Sequence, residues 1–263
     1  MKIGIVASAK DMLSLFKILS KYDHEYYVWY DSQYWFRWDK SADMVQERIT
    51  IGKKYLEKKG VDCIIIPPVY ELLSEDINVL KLFETYLLSY AFQFSLIGKI
   101  WLIGDYTDIK LAKTIIPDIE KKYKLTDNQS NISKFHKPLV YRYKEVQMWK
   151  YFLTTFSYSN YMVNKTIKFD LRYFKDAGVD TVVPLNYGYF NYQRTISKYF
   201  NFNKTRFHQL EKLEEIFCLL CPDTTKYSIN IMCNSNPELI TRDRKLMYIL
   251  QRGKSVEIRV SNS

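Results

Sequence analysis

Short, continuous apolar runs alternate along the chain with stretches whose apolar residues recur every three to four positions. That is the pattern of strands and helices in turn. Residues 2–6 form a β-branched run, Ala7, Ser8 and Ala9 make a turn, and residues 11–21 have helical spacing. A second strand is expected over 25–30 and a helix over 41–59, with Ser41 as its cap and Gly60 as its stop. Residues 61–66 are apolar throughout, which suits a parallel strand covered on both faces. That strand ends at Pro67-Pro68, where Pro68 holds Pro67 in extended geometry.

Helical spacing returns over 77–94, and a second strand-turn-helix series opens with residues 99–103 followed by Gly104-Asp105. A helix is expected over 108–123 despite Pro117, a loop over the polar stretch 125–137, and a largely helical region over 141–174. Residues 180–184 read as another buried strand leading past Gly188 into a helix. A strand at 228–232, a helix over 237–251 and a strand at 255–260 complete the series. Repeated strand-helix alternation with short turns predicts parallel sheets flanked by helices. Ligands of such sheets sit at the carboxyl ends of strands, so the loops after Val6, Ile66, Ile103 and Val183 are the places to look for chemistry.

The chain has 263 residues, enough for one large or two modest domains, and 47% hydrophobic content supplies a core. With 8 Gly, 7 Pro and no low-complexity tract, it lacks the marks of a linker-rich or disordered protein. No apolar run approaches the roughly 20 residues a membrane-spanning helix needs, and the first residues do not form a signal peptide's apolar region, so a cytoplasmic protein is expected. Cys63, Cys218, Cys221 and Cys233 are too few and too unevenly spaced for a disulfide framework. Cys218 and Cys221 have CxxC spacing but lack a second such pair, so core thiols are expected rather than a metal or redox site. His24, His136 and His208 have no partner at metal-ligand spacing, and neither a metal nor a cofactor is expected.

Charge changes the picture because it is uneven. The formal net charge is +10. Residues 1–90 carry 12 Lys and Arg against 13 Asp and Glu, residues 91–205 carry 18 against 9, and residues 206–263 carry 9 against 7. The middle segment also holds 12 of the 23 tyrosines, making one region both basic and aromatic. Such a surface could attract an acidic protein, nucleic acid or anionic lipid, or be an ordinary solvated face; no nucleic-acid-binding motif accompanies it.

The order and spacing of the loops resemble those of glutamate racemase and the wider aspartate/glutamate racemase superfamily, over essentially the whole chain. Residues 3–9 (IGIVASA) resemble the family's opening strand and its Asp-Ser-Gly turn, and residues 59–66 (KGVDCIII) the strand before its first Cys-Asn-Thr. Residues 177–183 (AGVDTVV), followed by Tyr189, are similar to the run that delivers the family's Gly-Cys-Thr-His-Tyr. Residues 229–235 resemble its Phe-x-Thr-Thr-Gly strand, and residues 256–258 its final strand. The resemblance implies two similar parallel-sheet α/β domains facing a cleft. The first would comprise residues 1–90 plus 206–263, and the second, basic one residues 91–205.

In that family two cysteines exchange the α-proton of an acidic amino acid, each serving as thiolate base or thiol acid. Here the aligned positions are Pro67 and Asn186, and neither exchanges a proton in the useful range. Ala7 and Ala9 stand for the Asp and Gly of Asp-Ser-Gly, with Ser8 kept. Pro68 stands for the Asn after the first Cys, and Gly188 for the His of Cys-Thr-His. Cys63 lies four residues before Pro67, roughly 13 Å short of the site along an extended strand. Tyr70, Tyr187 and Tyr189 would partly fill a cleft built for a small amino acid; as bases they are poor at neutral pH. Ala7, Ser8, Pro67, Pro68, Asn186 and Gly188 thus read as a degenerate former site with no catalytic residue.

The expected function is a catalytically inactive racemase-like protein acting through its surfaces, with a protein partner or as a homo-oligomer. Tyr34, Trp35, Arg37 and Trp38, in the loop after the second strand, are the interaction candidates, since Tyr, Trp and Arg concentrate at interface hot spots. Two alternatives stay open: an amino-acid racemase or isomerase using non-cysteine groups, and anion or nucleic-acid binding by the basic second domain.

Overall fold

A computed structural model describes residues 1–31, 41–92, 95, 97–129, 139–155, 157, 160–176, 179–200, 206–207, 210–222, 228–233, 237–252 and 255–260. Its elements in chain order are β1 (Lys2–Ala7), α1 (Ala9–Leu19), β2 (Glu25–Tyr30), α2 (Ala42–Lys58), β3 (Cys63–Ile65), α3 (Pro68–Leu73), α4 (Leu82–Tyr86), β4 (Lys99–Gly104), α5 (Tyr106–Gln129) and β5 (Val140–Glu145). There follow α6 (Gln147–Thr154), α7 (Tyr161–Asp176), β6 (Thr181–Pro184), α8 (Gln193–Phe200), β7 (Arg206–Phe207), α9 (Leu210–Leu220), β8 (Ser228–Cys233), α10 (Glu238–Arg242), α11 (Arg244–Leu250) and β9 (Val256–Val260).

The strands form two parallel sheets, ordered β3-β1-β2-β8-β9 and β5-β4-β6-β7. The β-branched run of β1 lies at the heart of the first sheet, where Ile5 sits beside Val28 on one side and Ile65 on the other. Continuous burial of Ile3 to Ala7 follows from helices on both faces. On one face Val6, Trp29, Ile64 and Ile66 pack against Ile49 and Leu56 of α2. Gly52 makes that packing possible: a Cβ there would lie 2.5 Å from Trp29 Cδ1. The helix then stops as the sequence predicts, with Gly60 at φ +65°.

The larger core runs from the first sheet into the second without interruption. Helix α1 joins them, packing on α6, α9 and α11 and on a 3₁₀ helix at Tyr187–Tyr192 that follows β6. The two-sheet architecture agrees with the expected α/β class. The first sheet draws on residues 2–65 and 228–260 and the second on 99–207, so Arg206–Phe207 pair within the second sheet, with β6.

Several elements differ from expectation. Val140–Glu145 is a strand, where helix was expected from residue 141. Tyr141 and Tyr143 are half-buried and alternate with exposed Val140 and Arg142, the period-two pattern of an edge strand. The expected helix over 77–94 begins only at Leu82, with Ile77 exposed, and passes into a π-helical turn at Leu87–Phe92. Helix α5 runs on to Gln129, into the stretch expected as a loop. The expected helix over 237–251 is divided at Asp243, whose carboxylate accepts from the N–H groups of Lys245 and Leu246 and so caps α11. Among the described residues no helix is long and apolar enough to cross a membrane.

Candidate functional site at the lobe junction

Strand β1 ends at Ala7, and Ser8 begins α1 with its hydroxyl donating to Asp11 Oδ2 at 2.6 Å. The Ser8 N–H reaches the same oxygen at 3.4 Å, so a Ser-x-x-Asp box fixes the turn. Both residues are fully buried. The other carboxylate oxygen of Asp11 accepts from the Gly188 N–H at 3.3 Å, crossing from one lobe to the other.

On the neighbouring strand, Pro67 and Pro68 start α3. Pro68 takes the first helical position, where a missing N–H costs nothing, and Pro67 is extended at φ −56°, ψ 143°. The turn sends Tyr70 and Glu71 into the interior. The Glu71 carboxylate accepts from the backbone N–H groups of Phe83 at 2.8 Å and Glu84 at 2.9 Å, capping the short α4. Tyr187 of the second lobe donates its hydroxyl to Glu71 Oε2 at 3.4 Å. Burial pushes the Glu71 pKa up to about 8, against the pull of those N–H groups and of the Lys81 charge.

From the second lobe, β6 delivers Asn186, whose side-chain oxygen accepts from the Gly188 N–H at 2.9 Å and caps the 3₁₀ helix. Gly188 N–H is therefore shared between Asn186 and Asp11. Tyr187 and Tyr189 are fully buried, and loss of solvation holds both hydroxyls well above the ordinary tyrosine value. At the end of β4, Asp105 accepts from the Asp108 N–H and pairs with Lys150 at 2.9 Å. The fields of Asp105 and Asp108 reach Tyr70 and Tyr189. The hydroxyls of these two tyrosines have no hydrogen-bond partner among the described residues.

Ser8, Asn186 and Gly188, singled out in the sequence, are thus joined in one buried chain through Asp11. Pro67 and Pro68 act on it by placing Glu71 against Tyr187. Ala7 is buried at the strand end. The sequence reading did not single out Asp11, Glu71 or Lys150; the readable signals were the Ser-x-x-Asp spacing before an apolar run and an acidic residue within the otherwise apolar turn of α3. The arrangement positions and insulates polar groups. With its pKa raised to about 8, the Glu71 carboxyl is largely protonated at neutral pH, while the Tyr187 and Tyr189 hydroxyls titrate far above.

Tyr34, Trp35, Arg37 and Trp38 lie outside the described residues, as do His136 and His208. His24 is buried, with Nε2 3.2 Å from the Cys221 carbonyl. Of the cysteines expected in the core, Cys63, Cys221 and Cys233 are buried but Cys218 is exposed. It falls on the outer side of α9, where Leu219 is exposed as well. Among the described residues no group of three His, Cys, Asp or Glu is arranged to hold a metal ion.

No protein-family model matches the chain, and no curated protein does. Solved structures do. Glutamate racemase from Francisella tularensis in complex with D-glutamate superimposes with a TM-score of 0.72 at 14% identity, covering 99% of this chain and 97% of that one. The Thermus thermophilus glutamate racemase in complex with β-chloro-D-alanine gives 0.71 at 15% identity, over 99% and 96%. The Escherichia coli glutamate racemase with L-glutamate and an activator gives 0.63 at 13% identity, over 98% of each chain. The chain has the glutamate racemase fold from end to end.

Proposed function

We propose that this chain is a racemase-fold protein that no longer exchanges protons and acts as a protein-binding subunit of a larger assembly. One observation carries the reading. Where the resemblance places the two reacting thiols stand Pro67 and Asn186, and the Asn186 side chain is committed to capping the Gly188 N–H at 2.9 Å. Proton exchange at an α-carbon needs an acid and a base on opposite faces of the substrate, and neither residue type supplies one. Burial of Ser8, Tyr70, Tyr187 and Tyr189 at the same junction agrees with a cleft given over to packing.

The test is exchange of the α-proton of D- and L-glutamate and aspartate with deuterium oxide, followed by proton NMR. The α-proton signal is expected to persist at the rate of a protein-free control. Protein-dependent loss of that signal would overturn the reading. It would favour a second one, an amino-acid racemase or isomerase using non-cysteine groups, for which the Glu71 carboxyl beside Tyr187 is the supporting observation.

A partner surface is offered by α7 in the basic lobe. Tyr161, Lys165, Lys168, Phe169 and Arg172 share its outer face at helical spacing, and Phe169 is 76% exposed. An aromatic stripe set among three cations suits an acidic protein surface. Tyr34, Trp35, Arg37 and Trp38 are a second candidate surface for the same kind of contact. Cross-linking of the tagged chain in its native source, read by mass spectrometry, should place cross-links to an acidic partner on α7 or on 34–38. Cross-links to that partner confined to other surfaces would overturn the assignment.

A further inference from the structure

The two edges of the first sheet are finished differently. At β3, Ile64 is tied to a neighbouring segment, its N–H donating to the Asn78 carbonyl and its carbonyl accepting from the Leu80 N–H, both at 2.8 Å. At the opposite edge β9 pairs with β8, and no strand among the described residues takes its other side. We propose that this edge is an interface between two copies of the chain. In it β9 pairs antiparallel with β9 of the second copy about a two-fold axis and joins the two five-stranded sheets into one.

The ladder with β8 decides which backbone groups are left for a partner. Ile229 donates its N–H to the Ser255 carbonyl, and the parallel register sets Ile229 beside Val256. Successive residues of a strand turn their N–H and C=O alternately to one neighbour and the other. Ser255, Glu257 and Arg259 therefore face β8, while Val256, Ile258 and Val260 present theirs to the open edge. An unpaired row of this kind is a template for another strand, and no proline interrupts it.

The side chains name the occupant, because the strand Val-Glu-Ile-Arg-Val is complementary to itself when reversed. With Ile258 opposite Ile258 of the second copy, Val256 meets Val260 and Glu257 meets Arg259. The outward-facing residues then fall at the hydrogen-bonded positions. Glu257 and Arg259 fall between them, where facing side chains stand closest. In the single chain these two charges pair along the strand, Arg259 Nε donating to Glu257 Oε1 at 2.7 Å, with both side chains more than half exposed. Sliding to the next hydrogen-bonded register in either direction sets Glu257 against Glu257 or Arg259 against Arg259, so charge selects one register. On the opposite face Val256 and Ile258 lie against the core yet are only partly buried, and Val260 is exposed. Pairing covers all three. The edge lies in the first lobe, so the contact leaves α7 of the second lobe free for the acidic partner proposed above.

Sedimentation equilibrium of the full chain over a concentration series should show a reversible dimer. Glu257→Arg and Arg259→Glu each set like charges opposite one another, and each should raise the dimer dissociation constant roughly tenfold or more. Mixing the two variants should restore dimers, since every reversed residue then faces the opposite sign. Phe169→Ser on α7 should leave the dimer as it is. Should either reversal fail to fold, hydrogen exchange of the parent chain decides: the amides of Val256, Ile258 and Val260 should exchange more slowly in concentrated than in dilute protein. A parent chain that sediments as a monomer throughout, reversals that dimerise as the parent does, a folded mixture that stays monomeric, or exchange at those amides that ignores concentration would each overturn the proposal. Loss of the dimer in Phe169→Ser would do so too, by placing the contact on α7.

Discussion

Gly188 of the second lobe donates its backbone N–H to Asp11 of the first at 3.3 Å, and the same Asp11 carboxylate holds the Ser8 hydroxyl at 2.6 Å. One buried side chain thus fixes both the turn that starts α1 and the position of the 3₁₀ helix packed on it. Its neighbour across the junction, Glu71 with Tyr187, makes a second tie of the same kind. In both ties a carboxylate of the first lobe meets a donor of the second, while Lys17 Nζ donates in the opposite sense to Asn191 Oδ1 at 2.9 Å.

Replacing Asp11 by Ala removes the acceptor that both Ser8 and Gly188 use. Gly188 keeps Asn186, but the buried Ser8 hydroxyl loses its partner. A buried polar group left unsatisfied costs about 1–3 kcal/mol. Asp11→Ala should therefore lower the urea midpoint by an amount corresponding to that range, whereas Asp11→Asn, which can still accept, should lose less. Equal stability for Asp11→Ala and the parent chain would show that the tie carries no load.

Glu71 makes a prediction about pH. Its pKa in the folded chain is about 8, above the ordinary 4.5. The folded state then binds more protons than the unfolded state between these values, so this group's contribution to stability is whole below pH 4.5 and is lost as pH rises towards 8. The loss is on the order of a few kcal/mol. Glu71→Gln does not titrate, and the difference in unfolding free energy between parent and variant should shift in the variant's favour from pH 5 to pH 8. Thermal unfolding followed across that range measures it. A pH-independent difference would place the folded pKa of Glu71 near 4.5.

The hydroxyls of Tyr70 and Tyr189 are buried without a hydrogen-bond partner among the described residues. Removing a hydroxyl that makes no bond relieves its desolvation cost and leaves the ring's packing in place. Tyr189→Phe should be as stable as the parent chain or more so, by up to about 1 kcal/mol, with Trp149 still packed edge-on against the ring at 6.0 Å. A clear destabilisation in chemical unfolding would mean that the hydroxyl has a partner in solution.

How much of this was legible in the sequence depends on whether the determining contact is local. Ser41 as a cap and Gly60 as a stop needed only neighbouring residues, and both hold: Ser41 Oγ accepts from Met44 N–H at 3.3 Å, and Gly60 has φ +65°. The strands β1, β3 and β6 were readable because burial on both faces leaves an unbroken apolar run. Strand β5 was not, because an edge strand needs only one covered face, and its Tyr141 and Tyr143 alternate with Arg142 and Lys144 in a stretch otherwise rich in helical spacing. Asn186 and Gly188 could be located by spacing, but their use could not. Asp11 is on a different strand-helix unit, and nothing near either residue in the chain announces the bond between them.

The last prediction concerns the outer face of α7, where stability and binding should part. Phe169 is 76% exposed, so Phe169→Ser removes little packing and should alter unfolding free energy by no more than about 0.5 kcal/mol. At an interface the same ring would be an anchor, and truncating an anchor costs about 2 kcal/mol or more of binding, some thirtyfold in affinity. Lys165 and Lys168 beside it should act differently. Charge reversal there should slow association with an acidic partner and flatten its salt dependence, leaving dissociation nearly unchanged, because cations at the edge of a contact steer the encounter more than they hold the complex. Surface plasmon resonance with the cross-linked partner, over a salt series, separates the two effects. A Phe169→Ser chain that binds with parent affinity would remove α7 as the contact and leave residues 34–38 as the place to look.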